Sequence, residues 1–173
     1  MHSVEPPAAA MARIKSEFSG KSLPPVAFLS VNISESDINW LHQNALLFAS
    51  MSHAEGWGLG HSQSLAMGVP VLSVNWGGSL EFQNEDNSFL VRVPGLVPTA
   101  GFAPNSLYDP NRMHWAFGDI DHAANLMRKA YEDPVLCAKK GLAGKKFVTE
   151  NFNYEAVGKI MSDRLSALAQ AHS

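Results

Sequence analysis

The order of elements legible in this chain predicts an α/β fold, a Rossmann-like parallel sheet flanked by helices. Short apolar runs of strand length at residues 26–31, 45–50 and 69–74 alternate with segments of helical pattern. Strands joined through helices run parallel, with right-handed crossovers. The stretch 52–75, Ser-His-Ala-Glu-Gly-Trp-Gly-Leu-Gly-His-Ser-Gln-Ser-Leu-Ala-Met-Gly-Val-Pro-Val-Leu-Ser-Val-Asn, reads as strand end, glycine-rich loop, short helix, tight turn and buried strand. Such sheets bind ligands at the carboxyl ends of their strands. The loop at 53–60 leaves that end of the 45–50 strand, so the local pattern and the fold rule agree.

Residues 1–24 are punctuated by Pro6, Pro7, Pro24 and Pro25 and form a poorly ordered or partly helical N-terminal segment, with one helix over 8–18. The remaining elements form a single domain over 25–170. Val-Ala-Phe-Leu-Ser-Val at 26–31 is a candidate buried strand. Ser34 caps a helix over 35–44, in which Ile38 and Leu41 share a face. The strand at 45–50, the glycine loop and a helix over 61–67 closed by Gly68 follow. The strand at 69–74 tolerates Pro70 near its start. Gly77 and Gly78 make a turn, 89–93 is a fourth strand, and 94–110, rich in Pro, Gly, Asn and Ser, is a long loop. Helices over 119–132, 135–150 and 154–169 complete the chain.

Composition narrows the classes of function. A chain of 173 residues with 46% hydrophobic residues buries one sizeable core. Its net charge of −3 and lack of a basic run argue against nucleic acid and anionic membranes as partners. Cys137 is the only cysteine, so there is no internal disulfide and no thiolate metal cluster, and the residue reads as core filler. No apolar run reaches membrane-spanning length. The first ten residues contain Glu5 and lack a charged leader region, which leaves a cytoplasmic location as the expectation.

The loop concentrates the chemistry. Glu55 sits in its mouth, and Gly56, Gly58 and Gly60 let the backbone approach a ligand closely. The helix that follows offers unpaired N–H groups and the positive end of its dipole. An anionic, hydroxyl-rich ligand such as a nucleotide sugar suits this corner. The alternative for Glu55 is a helix cap or a neighbouring ion pair. His53 reads as a structural histidine with a ligand contact as the lesser role, and His61 as solvent-facing or near phosphate. No His-x-x-x-His pair marks a zinc site. Asp119-Ile-Asp121 has the form of a metal motif but lies at a helix start, where capping explains it better. Gly77-Gly78 is a turn before it is a phosphate cradle. Trp40, Trp57, Trp76 and Trp115 read as core, with Trp57 alone placed to line a ligand.

These residues also carry a resemblance. Glu55-Gly-Trp-Gly-Leu, the helix, and Gly68-Val-Pro-Val resemble the donor-binding signature of retaining, family-four glycosyltransferases of the GT-B fold. Trp76-Gly-Gly, Glu81-Phe and Asn87-Ser-Phe-Leu-Val continue the pattern, as does 119–133, so the similarity spans residues 26–170. The resemblance implies the incomplete C-terminal half of a GT-B protein, truncated on its N-terminal side. It implies donor-sugar contacts from Glu55, Gly56, Trp57, Gly58 and Leu59, with the N–H groups of Gly58 and Leu59 facing the diphosphate or sugar. It places Gln63 at the ribose, where the family carries a second glutamate. Glutamine keeps an acceptor but loses the charge. Gly60-His61 also departs from the small or proline residues that the family has there.

No metal and no cofactor is implied beyond a nucleotide-sugar donor substrate, UDP- or GDP-linked, with the base not fixed by the sequence. The acceptor domain and the basic residues that hold the diphosphate are not among these residues. The expectation is therefore a donor-binding region inactive by itself, completed by an acceptor domain in trans. A non-catalytic nucleotide-binding or pseudoenzyme module is the alternative. A Rossmann oxidoreductase ranks below both, since the glycines run Gly-x-Gly-x-Gly and Asn75 stands where an acidic residue would end the next strand. Two apolar stripes, Ile120/Ala124/Met127/Tyr131 and Val157/Ile160/Met161/Leu165/Leu168, predict packed helices. Part of the second is expected to lie exposed and to drive self-association.

Overall fold

In the computed structural model, which describes residues 6–22, 24–29, 31–99 and 112–171, three parallel strands form the centre. They are β1 (Phe48–Ser50), β2 (Val71–Val74) and β3 (Ser88–Val91), in the order β1-β2-β3. Phe48 stands opposite Val71, and Val71 opposite Ser88. The middle strand β2 is buried along its whole length, as a parallel strand covered on both faces must be. It begins at Val71 because Pro70 has no N–H for the ladder, although the Pro70 carbonyl still accepts from Phe48 N at 3.1 Å.

Helices α1 (Pro7–Glu17) and α2 (Glu35–Gln43) precede the sheet, and α3 (Leu59–Ala66) crosses from β1 to β2. After β3 come a short antiparallel pair, β4 (Leu96–Pro98) and β5 (His114–Ala116), then α4 (Ile120–Glu132), α5 (Pro134–Asn151) and α6 (Tyr154–Ala171). The starts of four helices are fixed by side chains, that of α6 by Asn153, which accepts from Ala156 N at 2.7 Å. Ser34 and Asp37 form a reciprocal capping box on α2, Asp119 accepts from His122 N on α4, and Asp133 accepts from Leu136 N on α5 beside Pro134.

Each face of the sheet has its own apolar cluster. Leu72, Phe89 and Val91 pack on Ala123 and Ala130 of α4 and Cys137 of α5. On the other face Val71 meets Leu65 of α3 and Phe82, with Phe48, Phe147, Val148 and Phe152 around them. Helix α5 passes the amino end of β3, where the buried Lys140 ammonium donates to the carbonyls of Ser88 (3.0 Å) and Glu85 and lies 5.0 Å from the Phe89 ring centre. The far end of β3 is closed by α4: Asp119 N donates to Arg92 O and Arg92 N donates to His122 Nδ1, both at 2.9 Å.

Several expectations need correction. Residues 24–29 are irregular, not the start of a strand, and Val26, Phe28, Leu29 and Val31 are exposed, while residue 30 lies outside the described residues. An apolar run becomes a strand only where a neighbour takes its N–H and C=O groups, and no described strand pairs with this one. Helix α3 starts two residues before the expected 61, because Gly58 supplies the left-handed cap there. The loop expected over 94–110 contains β4; residues 100–111 lie outside the described residues. Trp40 is not core but 62% exposed. The α4 stripe faces outward: Ala123 and Ala130 are buried, and Ile120, Met127 and Tyr131 are exposed. The face that α4 turns to the sheet carries Ala123 and Ala130, with Leu126 packed beside them. Helix α6 buries none of its residues.

Candidate functional site

The glycine loop leaves the carboxyl end of β1 and turns directly into α3. Gly58 makes the turn at φ +87°, a left-handed conformation that costs a residue with a Cβ. The close approach of His61 adds a second demand, since a Cβ on Gly58 would sit 2.3 Å from His61 Nδ1. A glycine cap brings no side-chain oxygen, so the first turn of α3 has no side-chain cap. Its N-terminal N–H groups and dipole are left for another acceptor.

A second pair of glycines holds the loop from behind. Gly78 N donates to Glu55 O at 2.9 Å, and a Cβ on Gly78 would lie 1.8 Å from Gly56 O. Gly77 abuts the loop in the same way, since a Cβ there would lie 2.9 Å from Glu55 O. The pair is therefore the abutment on which the loop rests, and the turn rather than a phosphate cradle is the role it fills.

Glu55 is half-buried in the loop mouth. Among the described residues its carboxylate makes no hydrogen bond or ion pair and does not cap α3, and its charge acts on the neighbouring His61. Gly56 and Leu59 are open to solvent, and Gln63 is exposed one turn along α3. Trp57 is anchored from below, with its ring 4.9 Å from Phe82 and 5.1 Å from Phe152, and 38% of the residue stays exposed. Glu55, Gly56, Gly58 and Leu59 thus come together at the uncapped helix start, and Trp57 serves as the loop's apolar anchor.

The two neighbouring histidines have structural surroundings. His53 stacks on Phe117 at 3.9 Å and its Nδ1 bonds the Ala116 carbonyl at 3.2 Å, while Ala116 N donates back to His53 O. His61 is 4% exposed, which overturns the expectation that it faces solvent or phosphate. It packs edge-on against Phe48 at 5.6 Å, and its Nδ1 is buried with no hydrogen-bond partner among the described residues. Burial pushes its pKa down, opposed by the nearby charge of Glu55.

Asp119 of the Asp119-Ile-Asp121 run is occupied as the partner of Arg92 at 2.5 Å and as the α4 cap, and these bonds hold its pKa below the usual carboxylate range. Among the described residues no group of three His, Cys, Asp or Glu is placed to hold a metal ion. Sequence inspection missed the Arg92–Asp119–His122 network. Asp119 and His122 lie 27 and 30 positions from Arg92, and no local pattern links them to it.

No protein-family model and no curated protein matches the chain. Solved structures do. A sucrose-phosphate synthase from Thermosynechococcus elongatus is 24% identical, with a TM-score of 0.52 over 76% of this chain and 28% of that one. Anabaena HepE in complex with UDP is 19% identical, with a TM-score of 0.57 over 77% of this chain and 30% of that one. HepE with UDP and glucose gives 19% and 0.56 over 76% and 30%. The chain therefore spans less than a third of the length of each of these three solved chains, and the expected Rossmann-like fold, a parallel sheet flanked by helices, is the fold observed and the one it shares with them. No described helix is long and apolar enough to cross a membrane.

Proposed function

We propose that this chain is the donor-binding region of a retaining, family-four-like glycosyltransferase. One observation carries the proposal: a half-buried carboxylate, Glu55, which does not cap α3, stands beside the uncapped start of that helix at the carboxyl end of a parallel strand. A helix start in that position takes the diphosphate, and the carboxylate takes sugar hydroxyls. A fold shared with HepE, solved with UDP and with UDP and glucose, supports a UDP-linked donor ahead of a GDP-linked one. Gly56, Gly58 and Leu59 contribute backbone N–H groups, and Gln63 reaches toward the ribose. No metal is assigned a role.

These residues bind the donor and do not transfer from it alone. The span of under a third of the solved glycosyltransferases supports this, since residues from another domain or chain must then supply the acceptor side. The reading with Gln63 in place of a glutamate as the mark of a non-catalytic module makes the same binding prediction and differs only in what an added acceptor half would restore.

Calorimetry of the chain against UDP, GDP, ADP and their glucose conjugates tests it, with Glu55→Ala and Gln63→Ala alongside. Binding that depends on the sugar and is weakened by Glu55→Ala, without hydrolysis or transfer, is the expected result. Absence of binding to every nucleotide rejects the proposal.

A further inference from the structure

Beside β3 lies a groove of about 490 Å³, within the range of small-molecule sites. Leu90, Val93 and Leu96 contribute apolar surface to it. Asn75 and Trp76, which follow β2, together with Arg92 and His122, contribute its polar and aromatic part, and Glu85 belongs to the turn before β3. None of these residues is in the loop at 53–60.

The polar groups are fixed in a definite state. His122 Nδ1 accepts from Arg92 N at 2.9 Å, which requires a neutral ring with its hydrogen on Nε2. The Arg92 guanidinium is paired with Asp119 at 2.5 Å, and Asp119 is held in turn by His122 N at 2.9 Å. The groove's cation is thus already balanced, and Glu85 adds a negative charge to the lining. That combination disfavours a phosphate. What it offers is hydrogen-bond donors from His122, Arg92 and Asn75, acceptors from Asn75 and Glu85, and the ring of Trp76, 44% exposed, as a flat apolar face.

We infer that this groove is a binding site for an uncharged sugar, distinct from the loop that holds Glu55. A sugar ring has an apolar C–H face to stack on Trp76 and hydroxyls that both donate and accept, which matches mixed donors and acceptors around an already balanced cation. The assignment does not depend on the nucleotide-sugar reading of the loop.

Two-dimensional NMR of the isotopically labelled full chain, titrated with glucose, galactose, mannose and sucrose, tests it. At least one sugar should shift the Trp76 indole N–H and the Asn75 side-chain amide saturably. Trp76→Ala should weaken that binding by roughly tenfold, the scale of one aromatic contact, and Asn75→Ala should weaken it less. Glu55→Ala should leave it unchanged. A parallel titration with UDP reports on the loop alone, so loss of UDP binding with retained sugar binding would reject the donor reading and keep this one. The inference is overturned if none of the four sugars moves these signals. It is also overturned if binding survives Trp76→Ala but is lost in Glu55→Ala, or if inorganic phosphate saturates the same signals in place of the sugars.

Discussion

Gly78 and Gly56 meet backbone to backbone: a Cβ on Gly78 would lie 1.8 Å from the Gly56 carbonyl oxygen, whereas a Cβ on Gly56 would meet nothing within 4 Å. The two residues share one contact but tolerate change unequally. Gly78→Ala must push the loop away from the 3-10 turn Gly78–Glu81 that supports it and break the bond from Gly78 N to Glu55 O. It should cost about 1–3 kcal/mol, the usual scale of overpacking. Gly56→Ala should leave the urea midpoint nearly unchanged. If both variants unfold at the wild-type midpoint, the loop does not rest on this turn.

Two buried imidazoles predict how stability responds to pH. Burial lowers the pKa of His61 and of His42, which flank Phe48 at 5.6 and 5.2 Å, and the Glu55 charge partly offsets the effect at His61. In the unfolded chain both titrate near ~6.5. Between the lowered folded values and that figure the unfolded chain holds more protons, so the stability present above the unfolded pKa is lost as pH falls through the window. Urea midpoints measured from about pH 7.5 down to about pH 5.5 should therefore decline. His61→Leu should flatten the slope and leave the share of His42. An unchanged slope would show that His61 takes up its proton in the folded state as easily as in the unfolded one.

Lys140 anchors the turn before β3 through carbonyls rather than through an acid. Its ammonium donates to Ser88 O and Glu85 O while lying over Phe89, and burial lowers its pKa. Lys140→Met keeps the length and apolar character of the stem but orphans both carbonyls. A loss of about 1–3 kcal/mol is expected, read as a lower melting temperature. An unchanged melting temperature would mean that water replaces the amine at no cost.

The parts of this fold that were legible in the sequence are those whose pattern is local. The β1–loop–α3–β2 unit was readable because glycine, a helical stretch and Val71-Leu72-Ser73-Val74 follow one another within a short span. Ser34 and Asp119 were readable as caps because a cap and its N–H group are three residues apart. The strand expected at 26–31 failed for the opposite reason, because pairing is a property of a neighbour and not of the run itself. The α4 stripe failed because the residues the helix buries, Ala123 and Ala130, are weak hydrophobes that do not stand out in an apolar pattern. Within the site, Glu55 and the glycines were visible, but the burial of His61 was not. It follows from Gly58 lacking a side chain, which leaves room for the imidazole underneath.

Gln63 gives the donor proposal a test by gain of function. It is exposed on α3, so a carboxylate there costs little in desolvation. If its side chain meets ribose hydroxyls, Gln63→Glu converts a neutral hydrogen bond into a charge-assisted one, roughly doubling its strength. Calorimetry should then show tighter binding of UDP by several-fold, with a smaller change for uracil lacking the ribose. Equal or weaker binding of UDP would place Gln63 away from the ribose.

Helix α6 leaves a continuous apolar stripe in water. Val157, Ile160, Met161 and Leu165 recur at helical spacing and all stay exposed, and no residue of the helix is buried among the described residues. A stripe of that length favours any contact that covers it. Size-exclusion chromatography with light scattering should show self-association that grows with concentration. Ile160→Glu combined with Leu165→Glu should return the chain to a monomer. Because neither side chain is buried, the pair should leave the melting temperature of the dilute chain nearly unchanged, which separates a surface effect from a folding defect. A wild-type chain that stays monomeric at high concentration would show that the stripe does not drive association.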